Sequence, residues 1–177
     1  MSNYSVLYYT DNNLPKPLED FFQLKLLESI DSKSDLVSVS HRPIIFGRNF
    51  HVGELHRSEW NMWRQIHLGL ENCHEKYTYL CEHDVLYAPD HFKAHENRIL
   101  RRWRMDGIFN VNLKRMNELG YIVNHFPILS QLCVKTKRFK RIIGRCIKKG
   151  IMPKLEDHGN YASFYSINSS IDVRHGS

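Results

Sequence analysis

The segment RSEWNMWRQIHLGLENCHEKYTYLCEHDVLY, residues 57–87, contains the two patterns that decide the fold. In its first half, Ser58 stands before a run of apolar residues at helical spacing, which is the arrangement of an N-capped helix. Its second half, Tyr77–Tyr87, is apolar and β-prone, and it carries Glu82 and Asp84 near its end. The segment therefore predicts a helix followed by a buried strand that ends in acidic side chains.

The residues before this segment repeat the alternation of strand and helix. Ser5–Thr10 and Asp35–Ser40 are short β-prone runs, and Leu18–Ile30 between them has apolar residues at a spacing that is closer to helical than to alternating. Strands that alternate with helices predict an α/β fold, in which helices flank a mostly parallel sheet. Ligands of such folds bind at the carboxyl ends of the strands, so we expect the functional site there.

The second half of the chain is less regular. Strand candidates lie at Ile108–Leu113, Tyr121–Phe126 and Ser163–Ile167, and a basic helix is expected between Lys137 and Lys149. The sequence has no internal repeat, low-complexity tract or linker. This favours a single domain over residues 1–177.

The composition is that of a globular domain attracted to polyanions. Of 177 residues, 42% are hydrophobic and 25% are charged, and the formal net charge of +6 favours partners such as nucleotide diphosphates, nucleic acid or an anionic surface. No apolar run approaches the roughly 18 residues that cross a bilayer, and the N-terminus lacks the pattern of a signal peptide. The expected location is therefore the cytoplasm, where the four cysteines would be reduced thiols.

Glu82 and Asp84 are the first candidates for chemistry. In an extended segment, side chains two residues apart lie on the same side of the sheet, so both carboxylates would project together. Adjacent carboxylates repel each other unless a cation lies beside them, which favours a Mg²⁺ or Mn²⁺ site that could bridge two phosphates. The alternative is that the strand simply runs into a polar turn.

Several separated stretches resemble, in the same order, a phage and bacterial group of GT-A-like glycosyltransferases. The matching stretches are YYTDNNL, VSVSHRPIIFGRNFHVGE, residues 57–92, FNVNLKR, LSQLC and IDVRHG. The resemblance implies one GT-A-like (Rossmann-like) domain, with residues 1–92 as the nucleotide-binding half and residues 93–177 as the acceptor-side half. It also implies a metal-dependent glycosyltransferase, which moves a sugar from a nucleotide-sugar donor, with a UDP-sugar expected, to an acceptor hydroxyl.

The resemblance assigns the metal site to the EHD motif and the C-terminal tail. Glu82, His83 and Asp84 fill the family's DxD position, and Asp84 would be the main metal ligand. Glu82 replaces the commoner first Asp and would reach the ribose or a metal-bound water. His175 resembles the late histidine that completes the Mn²⁺ or Mg²⁺ shell, and Arg174 would balance the charge of the diphosphate.

Donor contacts are expected where the first two strands end. Thr10, Asp11 and Asn12 look like the family's base and ribose contacts. An Asx turn that ends a strand would use the same residue types. His41 follows the second strand and is a further candidate for donor contact.

The loop Gly47–Arg57 is a candidate phosphate-binding segment. It offers Arg48 and Arg57, whose planar guanidinium groups can bind two phosphate oxygens at once. Its glycines would let the backbone approach a ligand closely. An ordinary surface loop is the alternative interpretation.

An inverting transferase also needs a base near the acceptor hydroxyl, whereas a retaining one can use the departing phosphate. The motif acid Asp84 is a catalytic candidate through the metal. Loop acids that could act as the base are Asp157 and Asp172, with Asp106 and Glu156 as further candidates. A solvated or turn-capping role is as consistent with a residue such as Asp157.

Two basic segments suggest a polyanionic acceptor. The first lies within Lys135–Lys149, where apolar residues form one helical stripe; its cations are Lys135, Lys137, Arg138, Lys140, Arg141, Arg145, Lys148 and Lys149. The second surrounds Trp103 and consists of Arg98, Arg101, Arg102 and Arg104. Both could be solvated faces. If both face the donor cleft, phage DNA that carries hydroxymethylated bases is the sharpest acceptor candidate.

Three alternatives stand beside this interpretation. A structural zinc site could use Cys73, His74, Cys81 and His83, although the spacing lacks a C-x-x-C pair. The chain could instead be a non-catalytic, basic nucleic-acid-binding module. It could also be another nucleotide-using enzyme, such as a nucleotidyltransferase, which likewise needs acids at a strand end.

Overall fold

A seven-stranded, mostly parallel sheet forms the centre of the fold. The computed structural model describes residues 4–96, 108–111, 114–117, 120–123, 129–154, 162–164 and 171–172. In chain order the elements are β1 (Tyr4–Thr10), α1 (Lys16–Ser29), β2 (Asp35–Ser40), β3 (Arg48–His51), α2 (Glu59–Asn72), β4 (Tyr77–Glu82), β5 (Val85–Leu86), a 3₁₀ helix (Pro89–Glu96), β6 (Ile108–Val111), β7 (Lys114–Asn117), β8 (Gly120–Val123), a short 3₁₀ turn (Leu129–Gln131), β9 (Leu132–Lys135), α3 (Thr136–Lys148), β10 (Ala162–Phe164) and β11 (Ile171–Asp172).

The strand order of the main sheet is β10-β6-β9-β4-β1-β2-β3. β1 pairs in parallel with β2 on one side and with β4 on the other, while β9 runs antiparallel to both β4 and β6. A second, four-stranded sheet has the order β5-β11-β7-β8. The predicted α/β class, with a mostly parallel sheet flanked by helices, is confirmed.

Strand β1 is buried along its whole length because both faces of the sheet are covered. Alternate residues enter two separate cores. Val6 and Tyr8 pack with Leu26 of α1 on one face, whereas Leu7 and Tyr9 pack with residues of α2 and α3 on the other. A near-continuous apolar run is what a central parallel strand needs, and this explains the composition of Ser5–Thr10.

Helix α2 packs against β1 through Gly69, which contacts the side chain of Leu7. A Cβ atom added at Gly69 would lie 2.1 Å from Leu7 Cδ1, so a larger residue would require the buried Leu7 side chain to shift. The predicted N-cap is confirmed, since Ser58 Oγ accepts a hydrogen bond of 3.2 Å from Asn61 N. The capped end lies beside the carboxyl end of β1.

The structure differs from the sequence-based predictions at three places. The third predicted strand, Tyr77–Tyr87, is interrupted, because β4 ends at Glu82 and a turn at residues 83–84 leads into β5. The predicted loop Gly47–Arg57 contains β3, which extends the sheet beside β2. The zinc alternative fails on geometry, since Cys73 and Cys81 belong to cores on opposite faces of the sheet.

All four cysteines are free thiols, as expected. Burial raises the pKa of Cys73 and of Cys133 to about 12, so these thiols stay protonated at neutral pH. Within the part of the chain that the structure describes, no helix combines the length and the apolar character needed to cross a membrane.

His91 gives the fold a predictable sensitivity to acid. It lies among Tyr79, Tyr87 and Phe92, and burial lowers its pKa to about 3. Below pH ~6.5 the His91 side chain binds a proton in the unfolded chain but stays neutral in the folded chain. The free energy of unfolding therefore falls as the pH falls. Between pH 7 and pH 5 we expect this residue to cost about 2 kcal/mol.

His91→Leu should remove that part of the pH dependence, because leucine does not titrate. The measurement is urea unfolding of both proteins at pH 7 and at pH 5. A variant whose stability falls with acid as steeply as that of the wild-type protein would contradict the prediction.

Candidate functional site

A cleft lies where the carboxyl ends of β1, β2 and β4 meet the N-terminus of α2. Its cavity has a volume of about 370 Å³. The residues that line it are Tyr9, Thr10, Asp11, His41, Arg57, Ser58, Glu59, Met62, Gln65, Glu82, His83 and Asp84. The cleft is therefore at the edge where the sequence predicted the site.

The predicted donor residues after β1 divide into two roles. Asp11 lines the cleft, and its Oδ1 accepts a hydrogen bond from Asn13 N (3.1 Å), so the predicted Asx turn also forms. Asn12, by contrast, does not line the cleft. Its Oδ1 accepts from Arg42 N (2.8 Å) and its carbonyl accepts from Arg42 Nη2 (3.0 Å), while its own backbone has a φ of 59°. Asn12 thus ties the loop after β1 to the loop after β2.

Asp11 is the centre of a charged cluster in the cleft. Arg57 Nε lies 3.3 Å from Asp11 Oδ2, and His83 Nε2 lies 3.9 Å from Asp11 Oδ1. The Arg57 side chain is 75% exposed, so this ion pair contributes little to stability and leaves the guanidinium accessible to a ligand. The cleft therefore combines carboxylates with an exposed guanidinium group.

Two tyrosines hold Glu82 in place. Tyr9 Oη donates a 2.8 Å hydrogen bond to Glu82 Oε1, and burial together with the Glu82 charge raises the pKa of Tyr9 well above its ordinary value. Tyr87 Oη accepts from Glu82 N (2.8 Å) and donates to Ser130 O (2.8 Å). Tyr9 and Glu82 are register partners on β1 and β4, so strand pairing places their side chains together, and the hydrogen bond from Tyr9 orients the Glu82 carboxylate.

Asp84 has an orphaned carboxylate oxygen. Its Oδ1 is buried and has no hydrogen-bond partner among the described residues. Burying such an oxygen without a partner is costly, and a cation would compensate for it. The described residues contain no group of three or more His, Cys, Asp or Glu side chains that could hold a metal ion. The cations that suit a lone carboxylate are Mg²⁺ and Mn²⁺, which are commonly held by one or two carboxylates together with phosphate and water.

Gln65 is a cleft residue that the sequence analysis missed. It is only 3% exposed, and its Nε2 donates a 2.9 Å hydrogen bond to Thr10 O. Because a carbonyl can only accept, the amide nitrogen must face Thr10, and the Gln65 oxygen is turned elsewhere. The available signal was a polar residue within the apolar face of α2, beside Ile66.

His41, which is predicted to contact the donor, lines the cleft and is 6% exposed. Met62 and Ser58 line it as well, because they lie on the same face of α2 as Gln65. The sequence pattern predicted a capping role for Ser58 and only a helical spacing for the apolar residues that follow it. Their place at the site follows from the direction in which α2 crosses the sheet.

Arg48 is not brought to the cleft. It begins β3 and pairs in register with Val37, and its Nη2 lies 2.7 Å from Asp35 Oδ1 and donates to Asn72 O at 2.9 Å. Burial tends to raise the pKa of Asp35, but the hydrogen bonds from Arg48, Ser5 and a backbone N–H hold it below its ordinary value. The expectation of a phosphate contact is thus corrected: Arg48 is a structural ion-pair residue near the amino ends of the strands.

Of the three candidate site residues in the C-terminal segment, Asp172, Arg174 and His175, the structure describes only Asp172. In the backbone register it pairs with Val85, which directly follows Asp84, so β11 arrives beside the EHD turn. The other predicted residues of the second half lie outside the described residues: Arg98, Arg101, Arg102, Arg104, Asp106, Glu156, Asp157, Arg174 and His175.

Comparison with solved structures identifies the architecture. The chain is similar to the 2-C-methyl-D-erythritol 4-phosphate cytidylyltransferase of Thermus thermophilus, with a TM-score of 0.63, 10% identity and coverage of 97% of this chain and 92% of that chain. It is equally similar to S. aureus TarS in complex with UDP-GlcNAc, with a TM-score of 0.63, 11% identity and coverage of 99% of this chain and 60% of that chain.

A third neighbour is a CMP:2-keto-3-deoxy-manno-octonic acid synthetase complexed with CTP, with a TM-score of 0.53, 9% identity and coverage of 93% of this chain and 90% of that chain. No family model matches the sequence, and no curated protein sequence matches it either. At these identities the likeness establishes the fold, which is GT-A-like, and not the activity.

The substitution Gln65→Glu tests whether the Gln65 amide nitrogen donates a hydrogen bond to the Thr10 carbonyl. At pH 7 a carboxylate would face the Thr10 carbonyl, so we expect the free energy of unfolding to fall by about 1–3 kcal/mol. Near pH 4 the protonated acid can donate to the same carbonyl, and the deficit relative to the wild-type protein should shrink. Chemical unfolding at both pH values measures this. Equal stability of the two proteins at pH 7 would show that the bond from Gln65 is unimportant.

Proposed function

We propose that the protein is a metal-dependent glycosyltransferase that takes a sugar from a nucleotide-sugar donor, with a UDP-sugar as the favoured donor. The observation that carries the proposal is the orphaned Asp84 Oδ1 in a cleft at the carboxyl ends of β1 and β4. A buried carboxylate oxygen there suits a divalent cation that binds a diphosphate. The structural likeness to TarS, which was solved with UDP-GlcNAc and with UDP, supports the choice of donor.

Asp84 is the proposed main ligand of Mn²⁺ or Mg²⁺. When bound, the cation would neutralise the charge that develops on the departing diphosphate. Glu82 Oε1 accepts from Tyr9, and Glu82 is proposed to contact a metal-bound water, the ribose or the cation itself. His175 and Arg174 remain proposals from the family resemblance, as a metal ligand and a diphosphate contact respectively.

The donor would extend from the EHD turn toward α2. Thr10, Asp11 and His41 lie on the wall formed by β1 and β2, and Arg57 lies where a guanidinium can reach phosphate. We propose them as donor contacts, with Gln65 as an addition. Asn12 contributes indirectly, because its bonds to Arg42 keep the two loops together.

Asp172 is the better-supported candidate for the catalytic base. The register of β11 with β5 brings its backbone beside the residue that follows Asp84. Asp157 remains a second candidate from the sequence. Either carboxylate would have to lie next to the acceptor hydroxyl to remove its proton.

The acceptor is proposed to be a hydroxyl group, and hydroxymethylated bases of phage DNA are the candidate that the basic composition suggests. The arginines around Trp103 could serve such an acceptor. The first part of the Lys135–Lys149 segment lines a separate groove away from the cleft, so it is not proposed to contact the reacting group.

A nucleotidyltransferase is the second candidate function. Two of the structural neighbours are a cytidylyltransferase and a synthetase solved with CTP, and both chains are covered over most of their length. Such an enzyme would also use acids at the ends of β1 and β4. Release of pyrophosphate from CTP in the presence of sugar phosphates would favour it, and a non-catalytic binding module would show no turnover with any substrate.

The first test is release of UDP from UDP-sugars in the presence of Mn²⁺. We expect slow hydrolysis by the wild-type protein and a loss of about 100-fold or more in Asp84→Asn, because the cation would lose its main charged ligand. Asp20→Asn, which changes an exposed carboxylate on α1, is the matched control and should retain activity. Equal rates for wild-type protein and Asp84→Asn would refute the proposed role of Asp84.

A second test compares the two arginines of the segment Gly47–Arg57 by the shift in melting temperature on adding UDP and Mn²⁺. A ligand present at 100 times its Kd stabilises the native state by about 2.7 kcal/mol. Arg57→Gln should weaken UDP binding by about tenfold, through loss of one charge-assisted contact. Arg48→Gln should lower the stability of the free protein but keep the ligand-induced shift. The reverse pattern would place the diphosphate elsewhere.

A further inference from the structure

A second concave surface, here called the basic groove, lies near the amino ends of β1 and β4. It has a cavity volume of about 420 Å³ and is lined by His74, Glu75, Lys76, Lys135, Lys137, Arg138 and Arg141. Five of these side chains are cationic and one is a carboxylate. The sequence pattern indicated a basic helix, but it did not bring Lys76 and His74 to the same place.

The walls of the basic groove are joined by buried hydrogen bonds. One wall is the connection between α2 and β4, and the other is the end of β9 with the first turns of α3. Thr136 N donates to Lys76 O (3.1 Å), and the hydroxyls of Thr78 and Thr136 lie 2.8 Å apart with both residues buried. The cations are therefore presented by a fixed framework and not by a loose loop.

The basic groove is too far from the cleft to serve the same small ligand. Tyr77, at the start of β4, pairs with Lys135 beside the groove, and Glu82, at the end of the same strand, lines the cleft. Five residues of extended chain span about 17 Å. A molecule bound in the groove is thus either separate from the donor or a polymer that also reaches the cleft.

The spacing of the cations favours a repeating anion. Lys137 and Arg141 are both exposed and lie one helical turn apart, about 6 Å along the axis of α3. A row of cations in a concave surface follows a polymer backbone, whereas a flat bilayer surface is better met by a helix with inserted apolar residues. None of the lining residues is Phe, Tyr or Trp, so no base-stacking platform is present among them.

We propose that the basic groove binds the phosphodiester backbone of a nucleic-acid strand without reading its sequence. Lys and Arg contacts to phosphate supply affinity and register, whereas sequence is read through base edges that these residues do not offer. The proposal goes beyond the transferase activity, because it needs neither a donor nor turnover. It holds equally if the cleft has another function.

The test uses the full chain and a fluorescein-labelled oligo-dT of about 20 nucleotides, long enough to exceed a typical single-strand site. Binding is followed by anisotropy as the salt concentration rises from about 50 to about 200 mM. The groove variant is Lys137→Gln with Arg141→Gln. The matched control is Arg145→Gln with Lys148→Gln, which removes the same charge from the same helix at exposed positions outside the groove.

We expect the logarithm of the affinity of the wild-type protein for the oligonucleotide to fall linearly with the logarithm of the salt concentration. The groove variant should bind more weakly, and the slope of its salt dependence should be smaller in magnitude by about 1.4. The reason is that each phosphate contact of a single strand contributes about 0.7 to the slope, and the variant removes two cations. The control variant should keep the wild-type slope. Equal losses of affinity in the two variants would show that only net charge matters, and this would overturn the proposed site. Absence of binding of the wild-type protein to the oligonucleotide at low salt would also overturn it.

A parallel sedimentation assay with phosphatidylserine vesicles separates nucleic acid from a lipid surface. We expect no groove-dependent binding to vesicles. Vesicle binding that exceeds oligonucleotide binding, and that is lost in the groove variant but not in the control, would replace nucleic acid by a membrane as the partner. Melting temperatures of both variants close to that of the wild-type protein confirm that each is folded.

Discussion

The pairing of β1 between β2 and β4 is the interaction on which the rest of the structure depends. It buries all seven residues of β1 and directs alternate side chains into two cores, which in turn position α1 on one face and α2 with α3 on the other. Because the three strands are parallel, their carboxyl ends meet at one edge. The polar residues that follow each strand are therefore brought together, although they are far apart in sequence.

The two ends of β4 have opposite chemical character. At its carboxyl end, Glu82 and the nearby Asp84 line the cleft together with Asp11. Tyr9 donates to the Glu82 carboxylate, and Tyr87 accepts from the Glu82 backbone N–H. Near its amino end, cations from two segments surround the basic groove. Carboxylates thus line the cleft at one end of the strands, and cations line the basic groove at the other.

Much of the fold could be predicted from local patterns. The strands Ser5–Thr10 and Asp35–Ser40, the capped helix after Ser58 and the basic helix after Lys135 are found with small changes of boundary. Patterns were less informative where packing decides exposure. The apolar residues of Leu18–Ile30 predicted a helix but not which of its residues are buried. Leu18, Phe21, Leu24 and Leu27 are each more than 40% exposed, and the buried face of α1 is formed by Phe22 and Leu26 together with Glu19 and Gln23. Short strands such as β3 and β9 were missed because four residues carry little periodicity.

By itself, the sequence determined the α/β class and the strand ends that carry the acidic residues of the candidate site, because these follow from periodicity and from the order of strands and helices. Only the tertiary structure decided which side chains meet. Gln65 donates to Thr10, which is 55 residues away in sequence. Arg48 does not line the predicted site but pairs with Asp35 at the other end of the strands. Such contacts depend on strand register and on how closely α2 approaches β1, and neither is encoded in the spacing of residues along a single segment.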